Sequence, residues 1–361
     1  MKILSINPGS TSTKIALYEV AMDEELELIF LQTLRHSAEE IAKYSSIIEQ
    51  FAFRKDIIVK FLQENNIELA SISAIVGRGG LLRPIPGGVY RVNEKMIADL
   101  KSSWLGEHAS NLGGILAFEI SKEIGNDVPS FIADPVVVDE LCDMARYSGH
   151  PELPKVSIFH ALNQKAVARR YARENNLDYS KLNLIVVHLG GGVSVGLHQD
   201  GRVIDVNNAL NGNGPLSPER SGSLPVAALV ELCFSGKYQK SEILKMITGK
   251  GGFVAFLGTN DAYEVEVRAL HKDDAEAKKI FDLMIYQVAK EIGSLAPIAK
   301  GKVDAILLTG GIAHSKYFCK EIGEMVEFIA PVHVYPGEDE MAALTEAVYY
   351  AQKGELEVLE Y

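Results

Sequence analysis

Two stretches of this 361-residue chain open in the same way. Lys2 to Ile6 is a short apolar run broken by Asn7-Pro8-Gly9; Ile15 to Val20 resumes it, and Leu26 to Thr33 alternates as a third strand would. Leu184 to His188 is again an apolar run. Gly190-Gly191-Gly192 breaks it, Val193 to Leu197 resumes, and Gln199-Asp200-Gly201 turns into Val203 to Val206. An Asp-Gly pair flanked by β-branched residues is a strong hairpin signal. The units start at Ile3 and Leu184, an offset of 181 in a chain of 361. An approximate internal duplication is the most economical reading, although few residues are identical between the halves.

The rest of the chain alternates strand-like and helix-like stretches, which predicts an α/β protein. Ile72 to Val76, Phe131 to Ala133, Ala305 to Leu308 and Val332 to Tyr335 read as further strands. Apolar residues recur at three and four between Ile41 and Asn65, and again from Ile280 to Lys300, ending near Pro297; Glu340 to Ala351 reads as a last helix. The polar, proline-bearing stretch Tyr147 to Lys155 and the turn Tyr335 to Asp339 are the candidate boundaries. They predict a first domain of residues 1–150 joined by about 343–361, and a second of 151–342.

Hydrophobic residues are 47% and charged residues 23% of the chain, an ordinary globular composition. The 36 Lys and Arg against 48 Asp and Glu leave a net charge of −12, which argues against nucleic-acid or membrane-surface binding. It leaves room for small anions, because a pocket needs only a few local cations. Cys142, Cys233 and Cys319 lie far apart with no C-x-x-C pair. They are expected to be small buried hydrophobes rather than a disulfide framework or a zinc site. Only the short run Ile3-Leu4-Ser5-Ile6 separates Lys2 from Asn7-Pro8-Gly9, too little for a signal peptide, and no apolar run approaches a membrane span. The expectation is a soluble, cytoplasmic protein.

Glycine turns between strands can aim successive backbone N–H groups at one point, making a concave anion nest. Segment 7–14, NPGSTSTK, adds the hydroxyls of Ser10 and Ser12 and the ammonium of Lys14, a set that suits nucleotide phosphates. Segment 188–194, HLGGGVS, supplies a second such turn around His188, Gly190, Gly191 and Gly192, and Thr309-Gly310-Gly311-Ile312 a third. The chain has no G-x-x-x-x-G-K-[ST] and no G-x-G-x-x-G. A P-loop NTPase, a typical protein kinase and a Rossmann dehydrogenase are therefore poorly supported. A nucleotide would be gripped by hairpin loops.

With these segments in place the chain resembles the acetate/butyrate kinase family, part of the acetate and sugar kinase, heat-shock chaperone and actin superfamily. INPGSTSTK (6–14), VGRGGLLRPIPGGVY (76–90), IADP (132–135), IFHALNQKAVAR (158–169), HLGGGVSVG (188–196), ERSGSLP (219–225), LLTGGIAHS (307–315) and YPGEDEMAAL (335–344) carry the likeness in the family's order. The resemblance implies two duplicated RNase H-like (actin-like ATPase) domains, each a mixed sheet flanked by helices, with a cleft between them. It also implies phosphoryl transfer from ATP, with Mg2+, to a short-chain carboxylate such as butyrate or a branched relative, and at least a dimer. The acceptor is already ionised at neutral pH, so catalysis needs charge neutralisation and alignment rather than a general base.

By the same resemblance, Arg220 neutralises the transferring phosphoryl group and His160 is the transition-state histidine. Asp134 lies near the attacking group or its metal, and Gly310, Gly311 and Ile312 form the adenosine shelf. Asn7 and an acid of Gly337-Glu338-Asp339-Glu340 make the magnesium shell, with Asp339 and Glu340 equal candidates. Acetate kinases carry an Arg three residues before a His-Gly-Gly where this chain has Ile75 and Arg78, so Arg78 is the candidate to clasp the carboxylate, as its forked guanidinium suits. Acetate kinases also have Asn in place of Gly191 and are generally longer; both departures favour the butyrate branch. Two rival readings stay open: an acetate or propionate kinase, and an ATP-binding conformational module of the actin or chaperone sort.

Overall fold

The computed structural model describes residues 1–21, 26–103, 106–125 and 128–361. The strands, in chain order, are β1 (Lys2–Pro8), β2 (Ser12–Val20), β3 (Leu26–Arg35), β4 (Ile72–Arg78), β5 (Val89–Arg91), β6 (Ser130–Ala133), β7 (Leu184–Leu189), β8 (Val193–Gln199), β9 (Arg202–Val206), β10 (Ala305–Gly310), β11 (Val332–Pro336) and β12 (Val358–Glu360). The chain divides into two compact units. Met1–Val138 with Asp339–Tyr361 form the first, and Asp139–Glu338 the second.

The first unit holds a sheet ordered β12-β5-β6-β4-β1-β2-β3, and the second a sheet ordered β11-β10-β7-β8-β9. In the first, β1, β2 and β3 form an antiparallel meander, and β4 then joins β1 in parallel with β6 beyond it. In the second, β7, β8 and β9 form the meander, with β10 parallel to β7 and β11 parallel to β10. The repeated strand–turn–strand pattern of the sequence thus appears as one topology built twice.

Period-2 alternation explains how each central strand is covered on both faces. Ile185 and Val187 of β7 pack with Phe281, Met284, Val288 and Ile292 of helix Ala275–Leu295, while Leu184 and Val186 pack with Val167, Ala168 and Tyr171 of helix Ala161–Glu174. In the first unit, Leu4, Ile6, Ile15 and Leu17 meet Ile58 and Leu62 of helix Phe51–Glu64 and Leu112 and Leu116 of helix Asn111–Ile124. Ala16 and Tyr18, on the opposite face, meet Met341 of helix Glu340–Gln352. Helix Asn111–Ile124 lies on the end of β4 backbone to backbone: a Cβ at Gly77 would sit 2.0 Å from the Gly113 oxygen, and one at Gly113 2.1 Å from the Arg78 oxygen. Glycine at these positions is what allows the close approach.

Two expectations need correction, the start of the later helix and the burial of the cysteines. Between Ile41 and Asn65, where the spacing predicts helices, Ala38–Ile41 is one turn, a turn region follows, and the long helix is Phe51–Glu64. The Ser45 N–H and hydroxyl both donate to Glu49, a local alternative to helix that Ser offers readily. The later helix starts at Ala275 rather than Ile280, because the Asp274 carboxylate caps it by accepting from the Ala277 N–H. Of the cysteines only Cys319 is buried. Cys142 is half-buried, and Cys233 is exposed on helix Val226–Phe234, none of whose residues is buried. Among the described residues no helix is long and apolar enough to cross a membrane.

Candidate active site

In the first unit the β1–β2 turn is organised from behind by an arginine. Arg54, on helix Phe51–Glu64 and 1% exposed, donates to the carbonyl oxygens of Gly9 (2.7 Å), Ser10 (3.1 Å) and Ser12 (3.1 Å) and to Thr13 Oγ1 (3.2 Å). Gln50 Oε1 accepts from its Nε and NH2. The Thr11 oxygen takes the His36 N–H at 2.9 Å, so every carbonyl from Gly9 to Ser12 is engaged. A trans peptide directs its N–H opposite its C=O. The Ser10 and Thr11 amides therefore face away from Arg54, on the side where the Ser10, Thr11 and Lys14 side chains are exposed. Burial lowers the Arg54 pKa to about 10, and burial with the nearby Arg54 charge holds His36 down at about 4.

Three further predicted residues meet at the carboxyl end of the same sheet. Arg78 ends β4, and its NH1 lies 2.9 Å from Glu340 Oε1, 3.2 Å from Glu340 Oε2 and 3.5 Å from Asn7 Oδ1. Asn7, near the end of β1, donates its amide to Glu340 Oε2. The hydroxyls of Ser5 and Thr345, 2.7 Å apart, help to fix helix Glu340–Gln352 on β1. Asp339 turns elsewhere: its Oδ1 caps that helix by accepting from the Ala342 N–H, and it adds to the burial that pushes the Tyr18 phenol up to about 12. Asp134 follows β6 with φ +37°, 2% exposed. Its backbone and Oδ1 bond the Gly88 oxygen and N–H at 3.0 and 2.8 Å.

The second unit gathers the other set. His188, near the end of β7 and 2% exposed, stacks on His160 with ring centroids 3.8 Å apart and planes 12° from parallel. Its Nδ1 lies 2.8 Å from Asn163 Oδ1 and its Nε2 3.4 Å from Glu338 Oε2. His160 is the N-cap position of helix Ala161–Glu174, with Nδ1 2.9 Å from Ser194 Oγ. Arg220 packs its guanidinium against the glycine turn: a Cβ at Gly192 would lie 1.9 Å from its NH1. That NH1 donates to the Ala209 oxygen at 2.5 Å, while the buried Nε has no hydrogen-bond partner. Burial lowers the Arg220 pKa, against an opposing pull from Glu219. A desolvated cation with an unsatisfied donor is disposed to take an anion.

A cavity of about 700 Å³ in the second unit is lined by Gly190, Gly191, Gly311 and Ile312, with Tyr263 and Tyr317 among its walls. Gly310 has a framework role: at φ +91° a Cβ there would meet the Leu189 oxygen at 2.4 Å, and Gly310 and Gly337 exchange backbone bonds.

A family model described as the Acetokinase family matches residues 157–330. Butyrate kinase 2 of Clostridium acetobutylicum is 58% identical over 360 residues, 100% of this chain and 99% of that protein. The chain belongs to the acetokinase family. A second relative, butyrate kinase 1 of the same organism, is 57% identical over the same span. The crystal structure of Porphyromonas gingivalis acetate kinase shares the fold of this family member with TM-score 0.78 at 19% identity, covering 96% of this chain and 99% of that one. A propionate kinase from Francisella tularensis does so with TM-score 0.73 at 21% identity, covering 96% and 98%.

For this acetokinase-family chain, the groups that sequence reasoning missed are those behind its site. Arg54 carried a signal, since it shares the 54, 58, 62 helical stripe with buried Ile58 and Leu62. Asn163 and Gln164 sit three and four residues after His160, on the helix that His160 opens. Glu338, named within the acidic run as a possible magnesium acid, instead lies beside His188.

Proposed function

We propose that this chain transfers the γ-phosphoryl group of ATP in line to the carboxylate of butyrate or a branched relative, reversibly. A carboxylate oxygen forms the new P–O bond as the bond to the β-phosphate oxygen breaks. ADP leaves with that electron pair, and no proton moves. The observation that carries the reading is the end-to-end identity with butyrate kinases. The first unit is assigned the carboxylate and the second the nucleotide base and ribose.

In this reading Arg220 and His160 stabilise charge on the transferring group, and the β1–β2 turn with Ser10, Ser12 and Lys14 holds phosphates. The His188–Gly192 turn and the cavity wall at Gly311 and Ile312 hold the nucleotide. Arg78 clasps the acceptor carboxylate, and Asp134 supports the attacking group from its anchor at Gly88. The Asn7 and Glu340 oxygens suit a magnesium ion, which takes few protein carboxylates and keeps several waters. Among the described residues no three His, Cys, Asp or Glu cluster as a protein metal cage would require. Such an ion supplies neutralisation of phosphate charge; Glu340, rather than the capping Asp339, is the acid we assign to it.

Hydroxamate trapping of acyl phosphate across C2 to C5 acids tests the reading. The expected optimum is at C4 or a branched C4–C5 acid, with C3 weaker by about 10- to 200-fold for its one missing methylene and C2 weaker again. An optimum at C2 or C3 would move the chain to the acetate or propionate kinases.

We also propose a homodimer in the cytoplasm. In support, helix Val226–Phe234 is apolar everywhere but Glu231, and Val226, Val230 and Phe234 form an exposed stripe four residues apart. Sedimentation of Phe234→Asp is expected to give a single-chain species where the parent gives a pair; an unchanged mass removes this helix from the contact.

A further inference from the structure

A string of hydrogen bonds, buried at Ser194, Gln164 and His198, runs from Tyr179 to His160, and its proton order follows from its fixed acceptors. Gln164 is 0% exposed, and one amide atom lies 3.1 Å from the Ser194 carbonyl oxygen. That oxygen can only accept, so the atom is Nε2. The second Nε2 proton goes to Ser194 Oγ at 2.8 Å. Gln164 Oε1 is then the acceptor facing His198 Nε2 at 3.0 Å, which must carry a hydrogen. His198 is 0% exposed beside the charges of Lys165 and Arg169, and both conditions keep its imidazole neutral. A neutral ring has one N–H, so His198 Nδ1 accepts from the Tyr179 hydroxyl at 2.8 Å.

At the inner end, Ser194 Oγ receives the Gln164 proton and faces the His160 backbone N–H at 3.5 Å. Its own hydrogen is left for His160 Nδ1, 2.9 Å away. We infer that Ser194, Gln164, His198 and Tyr179 are positioning residues that hold the neutral His160 ring in the tautomer protonated at Nε2. An Nε2–H is a hydrogen-bond donor toward a phosphoryl oxygen, whereas the other tautomer would present a lone pair to it. This consequence rests on the role proposed for His160; the tautomer itself does not.

Two-bond proton–nitrogen correlation spectra of the full chain with 15N-labelled histidine, assigned with His160→Gln, read the tautomer directly. The expected wild-type pattern for His160 is protonated Nε2 and bare Nδ1. In Ser194→Ala the pattern is expected to become a mixture, with kcat lower by about 10- to 100-fold and KM for ATP within about twofold. A wild-type His160 protonated at Nδ1 overturns the inference without recourse to any variant. So does an unchanged tautomer in a folded Ser194→Ala protein. A tautomer shift with full kcat upholds the inference and removes His160 from the chemistry, so the two failures are distinguishable.

Discussion

Arg220→Ala is expected to lower the rate of acyl-phosphate formation by at least about a hundredfold, the scale of losing one oxyanion-stabilising donor. Its guanidinium is a largely buried cation, with an Nε that finds no partner and a fork pressed against Gly192. Two anions must be brought together in this reaction, so a charge that strengthens as the phosphoryl group moves acts on kcat rather than on ground-state binding. The fold should survive. Arg220's backbone holds the local structure by accepting the Ser217 N–H and bridging to Thr248, and neither contact uses the side chain. Nucleotide affinity, measured by calorimetry, should change little, since Arg220 does not line the cavity around Gly191, Gly311 and Ile312.

Arg220→Lys retains the charge but not the planar fork, so an intermediate loss is expected. Gly192→Ala is a complementary case. It leaves the arginine in place but sets a Cβ where NH1 now lies, so turnover should fall although no charge is deleted. Turnover close to the parent in a folded Arg220→Ala protein would take this residue out of the mechanism.

Why some of this was legible in the sequence and some was not follows from what each feature depends on. The inner strands β1, β2, β7 and β8 of the two meanders are runs covered on both faces, so their apolar character survives in the sequence, and glycine turns mark their ends. Residues at those ends, such as Arg78, His188 and Asn7, could be picked out because α/β sites gather at the carboxyl ends of strands. The Asp339–Glu340 ambiguity was not resolvable that way. Which acid caps a helix and which reaches Asn7 depends on where the helix begins, and one residue of shift exchanges the two. Helix Val226–Phe234 shows the reverse limit: an apolar string predicts burial, and nothing in its own residues says that its unit leaves it uncovered. Ser45 and Ser46 interrupted a plausible helical period through local bonds to Glu49 that periodicity does not weigh. Arg54 is the instructive case, because a charge on an apolar stripe reads as noise until the carbonyls it serves are known.

Arg54→Met is expected to cost at least about 3 kcal/mol of stability, seen as a fall in the denaturant midpoint. The methionine keeps much of the apolar stem but donates nothing. The Gly9 and Ser10 oxygens and Gln50 Oε1 lose the donor they now have in Arg54, while the Ser12 oxygen keeps the Gly9 N–H, and each partly buried acceptor left unsatisfied costs about 1–3 kcal/mol. The functional consequence comes from the same geometry. With no cation drawing carbonyls inward, the peptide planes of the β1–β2 turn are free to rotate, and the Ser10 and Thr11 amides no longer share an outward direction. KM for ATP should therefore rise by about tenfold or more, as expected when a charge-assisted anion site worth about 1.5–3 kcal/mol is lost. Arg54→Lys restores a charge but not five donors in a fork, so it should recover part of the stability and less of the affinity. A folded Arg54→Met protein with the parent's KM for ATP would show that the turn's amides need no internal cation to stay aligned.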